Sequence, residues 1–166
     1  MDNVQEIVEK TRQACEARKI ADAEKEDDFV ADETRTLIPE GIYQVQCIKI
    51  EKAISHFRSL KMFLTFKIVD PGQYFETELF MAINLIDTKT NKPFKKVPRG
   101  SKYYKQWVIA NNNKLPSRGD RMSSNIFKNG VFEAVVRIVK PKFADGTEDH
   151  ECFHYSIVDS LKRKLT

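Results

Sequence analysis

From Leu60 to Val69 the chain alternates without a break: Leu60, Met62, Leu64, Phe66 and Ile68 are apolar, and Lys61, Phe63, Thr65, Lys67 and Val69 lie between them. Successive side chains of a strand point to opposite faces, so this run predicts a half-buried strand with one face in a core. A single strand has no independent stability, and the flanking runs must supply its sheet.

The run before it carries a second constraint. In Ile42 to Lys52 the apolar positions fall first at Tyr43, Val45 and Cys47, then change phase to Ile48 and Ile50. A one-residue phase change inside a strand predicts a bulge, which lets one long strand bend and serve two sheets, as a small closed barrel requires. Downstream, Asp70-Pro71-Gly72 reads as a turn and Tyr74 to Leu85 as a third strand, giving a three-stranded meander. Asp87 to Gly100 is a loop with five basic residues, two prolines and one acid. Ser101 is placed to cap a helix over Lys102 to Asn112, with Tyr104, Trp107 and Val108 on its apolar side. A second basic loop, Lys114 to Lys128, holds Arg118 and Arg121. Asn129-Gly130 turns into a fourth strand, Val131 to Lys140. A hairpin loop over Lys142 to His150, tipped by Asp145-Gly146, leads to a fifth strand, Glu151 to Asp159.

Charge divides the chain at the point where this β-rich texture begins, Pro39-Glu40-Gly41. Residues 1–36 hold eleven acids against six bases, a net of −5, whereas residues 37–166 hold thirteen acids against twenty-two bases, a net of +9. We therefore expect an acidic N-terminal arm over 1–36, helical or disordered, and a basic folded domain over 37–166. Val4 to Ala23 has helical composition with a thin apolar stripe, and Glu24-Lys25-Glu26-Asp27-Asp28 has nothing to bury. A basic domain attracts polyanions by its field alone, and nucleic acid is the commonest intracellular one.

Other function classes fit poorly. Apolar runs are only a few residues long, far short of the roughly 20 that a membrane helix needs, and the first thirty residues lack a signal-peptide core, so a cytoplasmic protein with no membrane partner is expected. Cys15, Cys47 and Cys152 are widely separated with no Cys-x-x-Cys pair, which predicts reduced thiols. His150-x-Cys152-x-His154 puts three potential ligands on one strand face, but alternate positions on one strand rarely surround a metal, and a structural role is expected. Lys92-Pro93-Phe94-Lys95-Lys96 lacks the glycines of a phosphate loop. The acids are scattered, with Asp70 in a turn, Asp87 in a loop and Asp120 between Arg118 and Arg121. No catalytic pair emerges, so the chain reads as a non-enzyme with no cofactor and no metal.

Five strands with a bulged first strand, a meander, a helix between strands three and four and a final hairpin make the element order of the OB-fold, a small mainly-β Greek-key barrel. Over roughly residues 37 to 160, the stretches Ile38-Pro39-Glu40-Gly41-Ile42-Tyr43, Phe66-Lys67-Ile68-Val69-Asp70, Thr77-Glu78-Leu79-Phe80 and Tyr155-Ser156-Ile157-Val158-Asp159 resemble small proteins of phages, plasmids and integrative elements, several of which are similar to single-stranded DNA-binding proteins. The resemblance implies a cytoplasmic protein of a bacterial or phage-infected cell, acting in replication or recombination. Its partner would be single-stranded DNA, with RNA and homo-oligomerisation left open.

In such barrels the ligand crosses strands two and three between the first and last loops. The second strand's outer face offers Lys61, Phe63 and Lys67. The first loop offers His56, Phe57 and Arg58; the last offers Lys140, Lys142 and Phe143; the third strand adds Tyr74, with Phe75 and Phe80 as further rings. Cations alternating with rings suit sequence-tolerant binding, because phosphates meet ammonium groups while bases stack. Glu76 and Glu78 oppose this if they share the face. The single-strand reading gives the acidic arm replication or recombination proteins as partners; the rival reading is an element-encoded interaction module or inhibitor with a basic barrel, whose acidic arm engages a partner.

Overall fold

A computed structural model describes residues 37–55, 59–117 and 119–166. The expected N-terminal arm, the first-loop residues His56, Phe57 and Arg58, and Arg118 lie outside the described residues. Within them the chain is mainly β, in the order β1 (Gly41–Ile54), β2 (Leu60–Ile68), β3 (Glu78–Asn84), α1 (Lys102–Ala110), a 3-10 turn at Ser124–Phe127, β4 (Val131–Val139), a 3-10 turn at Glu151–Phe153 and β5 (Tyr155–Lys164). The strands form one antiparallel sheet in the order β3-β2-β1-β4-β5.

The alternation in β2 does what the sequence predicts. Met62, Leu64, Phe66 and Ile68 are buried, while Lys61, Phe63, Thr65 and Lys67 are partly exposed on the other face. The bulge in β1 also stands where the phase changes: Cys47 pairs with Phe66 and Lys49 with Thr65, so Ile48 is the extra residue. Before the bulge β1 runs beside both β2 and β4, with Val45 opposite Ile68 on one side and Phe132 on the other. Beyond it, β1 pairs with β2 alone, out to Ile54 opposite Leu60. The chain then enters β4 through Asn129, whose φ of 59° is left-handed, and Gly130. A Cβ on Gly130 would sit 2.7 Å from the Phe132 ring, so the turn's tight approach to the core requires glycine.

Helix α1 packs through Tyr103, Gln106, Trp107 and Ala110. Ser101 caps it as expected, its Oγ accepting from Tyr104 N at 3.2 Å. The inward tyrosine is Tyr103 rather than Tyr104, because Tyr103 falls on the stripe of Trp107 and Ala110. Buried Gln106 anchors the helix on β5, where its Oε1 accepts from Leu161 N at 2.7 Å. Buried Ser156 ties β5 to the entry of β1: its Oγ accepts from Ile38 N at 2.7 Å and donates to Ile38 O at 2.8 Å.

Two predicted strands have different bounds. β3 begins at Glu78, not Tyr74, because the Asp70-Pro71-Gly72 turn continues through Glu76: Phe75 N donates to Gly72 O, Thr77 N donates to Tyr74 O, and Glu76 has a φ of 63°. β5 begins at Tyr155, not Glu151, because His150 caps a 3-10 turn with its Nδ1 accepting from Cys152 N. At its other end β5 runs on through Lys162, Arg163 and Lys164. Arg163 lies opposite Glu133 and donates to its Oε2 from Nε and Nη2 at 3.0 and 2.8 Å. No helix among the described residues is long and apolar enough to cross a membrane.

Candidate nucleic-acid interface

Register fixes which side chains share the outer face. Across β1, β2 and β3 the rows read Ala53, Lys61, Asn84; Glu51, Phe63, Ala82; Lys49, Thr65, Phe80; and Gln46, Lys67, Glu78. Phe63 is therefore a half-buried ring on the outside of the sheet, distinct from the core rings Phe66, Phe127 and Phe132. Phe80 is its diagonal neighbour, at a spacing that aromatic side chains bridge. From there the row crosses to β5, where Tyr155 stacks on Phe80 with ring centroids 6.1 Å apart and planes 18° from parallel. The stack joins the outer face of β3 to the root of the β4–β5 hairpin, although β3 and β5 are not hydrogen-bonded neighbours in the sheet.

Charge on this face is largely compensated. Lys67 Nζ lies 3.2 Å from Glu76 Oε1 and opposite Glu78. Lys49 Nζ lies 2.9 Å from Glu51 Oε1. The concern over Glu76 and Glu78 is thus realised at the Lys67 end of β2, where Glu76 pairs with the ammonium and Glu78 stands opposite in register. Lys61, at the opposite end, has no ion-pair partner among the described residues.

The β4–β5 hairpin carries Lys140, Lys142 and Phe143. Lys140 Nζ is 3.8 Å from Glu148, and Lys142 pairs with the same residue across an isolated bridge. Phe143 is 58 % exposed and Phe153, at the hairpin's far side, 59 %. At the tip the Thr147 hydroxyl and N–H both donate to Asp145, which holds that carboxyl below its ordinary range.

Tyr74 does not join these residues. It lies in the turn before β3 and packs edge-on against Tyr43 on β1, at 6.4 Å and 82°. Phe75 beside it is 54 % exposed, at the carboxylate-rich end of β2. The structure thus unites Lys61, Phe63 and Lys67 on one face and connects them to the hairpin through Phe80 and Tyr155. Sequence reading named Phe80 only as a further ring and missed Tyr155, whose partner is 75 positions away in the chain and on a different strand. The only local signal was an aromatic inside the predicted fifth strand.

Among the described residues no group of three or more His, Cys, Asp or Glu is placed to hold a metal ion. His150, Cys152 and His154 sit on a 3-10 turn and its caps rather than on one strand face, and His150 Nδ1 lies 3.2 Å from Cys152 Sγ. Cys47 is buried in the core, and burial pushes its thiol up to about 11, so it stays protonated and inert at neutral pH. No protein-family model, curated protein or solved structure matches the chain.

Proposed function

We propose that the protein binds single-stranded DNA across the outer face of β2 and β3, without catalysis, in the replication or recombination of a phage or mobile element. The observation that carries this reading is the half-buried ring of Phe63 on the outer face of β2, with Phe80 diagonal to it on β3 and Tyr155 stacked on Phe80. Phe63 keeps part of its ring exposed on this face, and a nucleobase stacking there would contribute about 1 to 3 kcal/mol. Lys61 stands on the same face of β2, and the net +9 of residues 37–166 supplies the long-range attraction.

The strand order supports a barrel of the OB type. β3 and β5 are the sheet's two outer strands, and the Phe80–Tyr155 stack brings them side by side, as curling of the sheet toward closure requires. Filter binding of the full chain to labelled oligo(dT) tests the proposal. Salt-sensitive retention is expected, whereas an adaptor that only contacts protein retains nothing.

A further inference from the structure

The two basic loops form a groove of about 580 Å³ lined by Lys95, Lys96 and Val97 on one side and by Pro116, Ser117, Gly119, Asp120, Arg121 and Met122 on the other. An adjoining cleft over Asp87, Thr90, Pro93 and Phe94 adds Lys92. Lys92, Lys95, Lys96, Arg99 and Arg121 have no ion-pair partner among the described residues. The two acids of these loops are turned to backbone instead: Asp87 Oδ1 accepts from Lys89 N at 2.8 Å and Asp120 Oδ2 from Ser117 N at 2.6 Å.

Both walls are held in place. Tyr103 Oη donates to Met122 O at 2.6 Å and Trp107 Nε1 to Ser123 O at 3.1 Å, so two ring residues of α1 pin the 122–123 segment. The other wall is fixed on the sheet by Phe94 N donating to Leu85 O at 3.0 Å and by the bridge between Ile86 and Pro93. Clustered like charges on fixed segments repel one another, and a bound anion relieves that repulsion.

The groove's position gives it a role. Lys61 pairs with Asn84, and Leu85 N donates to Leu60 O, so the 85–100 loop leaves the sheet at the Lys61 end of β2. At the other end stand Glu76 and Glu78. A polyanion lying on the rings therefore meets carboxylates in one direction and unpaired cations in the other.

We infer that this groove receives the sugar–phosphate backbone of the same single strand where it runs off the ring row past Lys61, which makes it a phosphate subsite set by Lys95, Lys96 and Arg121. The inference rests on the single-strand reading above. It predicts that oligonucleotide length separates the two surfaces: about 5 nucleotides suffice for three rings, and about 16 also reach the groove.

The test compares the full-length wild type with Lys95→Gln/Lys96→Gln/Arg121→Gln on oligo(dT) of both lengths, by fluorescence anisotropy across a salt series. All three side chains are exposed, so the variant retains its core. On the long oligonucleotide the slope of log K against log salt should fall by about 2, at roughly 0.7 per lost contact, with no change on the short one. A control with the same charge change elsewhere, Lys105→Gln/Lys128→Gln/Lys162→Gln, should treat both lengths alike. Equal losses on both lengths, or wild-type binding of the long oligonucleotide by the groove variant, overturns the subsite and leaves the ring row standing. Failure of the wild type to bind either length overturns the single-strand reading and the subsite with it.

Discussion

The outer face of β2 and the groove between the two basic loops are both rich in cations, yet they use them differently. On the sheet, Lys67 and Lys49 are matched to Glu76 and Glu51, and beside Lys61 the outer face carries rings: half-buried Phe63 and the stacked pair Phe80 and Tyr155. In the groove, Lys95, Lys96 and Arg121 face no carboxylate ion pair, and rings are nearly missing from the lining. The difference teaches that positive charge in the sequence is a poor guide to positive potential on the surface. Exposed ion pairs contribute little to stability, roughly 0 to 1 kcal/mol, but they do cancel the field that an approaching phosphate would sense. Under the proposed reading, one surface would meet bases and the other backbone.

The largest expected effect tests whether the ring face is truly outside the core. Phe66→Ala removes a fully buried ring and should cost about 3 to 5 kcal/mol in chemical denaturation. Phe63→Ala, three residues away on the opposite face of β2, should leave the denaturation midpoint nearly unchanged. Similar losses for the two would place Phe63 in the core and dissolve the distinction between sheet face and groove. Next in size, Phe63→Ala/Phe80→Ala should weaken oligo(dT) binding by about 1 to 3 kcal/mol per ring while the salt slope stays at the wild-type value. A flattened slope in that variant would mean that the rings hold the cations in place rather than stacking on bases.

Smaller effects probe the supports. Trp107→Phe removes the indole donor to Ser123 O and should lower stability by about 0.5 to 1.5 kcal/mol, read by thermal melting. It should weaken long oligonucleotides more than short ones if the groove wall depends on that anchor. Glu76→Gln should release Lys67 and steepen the salt slope by roughly 0.7. An unchanged slope would show that Glu78, still opposite Lys67, suffices to mask it.

Much of the scaffold is legible in the sequence because it is written locally. The alternation of Leu60 to Ile68 needs no partner to be recognised, the bulge at Ile48 follows from one shifted residue, and the Ser101 cap is a single polar side chain before an apolar stripe. The misjudged boundaries are also local in origin but ambiguous in type. Tyr74 and Phe75 have strand composition, yet a glycine-led turn takes them, and His150 satisfies a backbone N–H in a way that residue type alone does not reveal. What the sequence does not display is pairing at a distance. Tyr155 on Phe80, Glu76 folded back on Lys67, and Tyr103 and Trp107 reaching the loop at 122–123 each depend on where the sheet and helix bring remote segments. Of the candidate site, the outward face of β2 was legible in the alternation, whereas its electrostatic polarity was not.

The central claim is that bases stack on the β2–β3 rings, and the most direct measurement is competition between a single strand and the corresponding duplex for the full-length chain, by anisotropy at matched salt, in the wild type and in Phe63→Ala. The account predicts that the wild type prefers the single strand and that Phe63→Ala loses most of that preference while keeping its affinity for duplex. A wild type that favours duplex, or a Phe63→Ala variant with the preference intact, would contradict it.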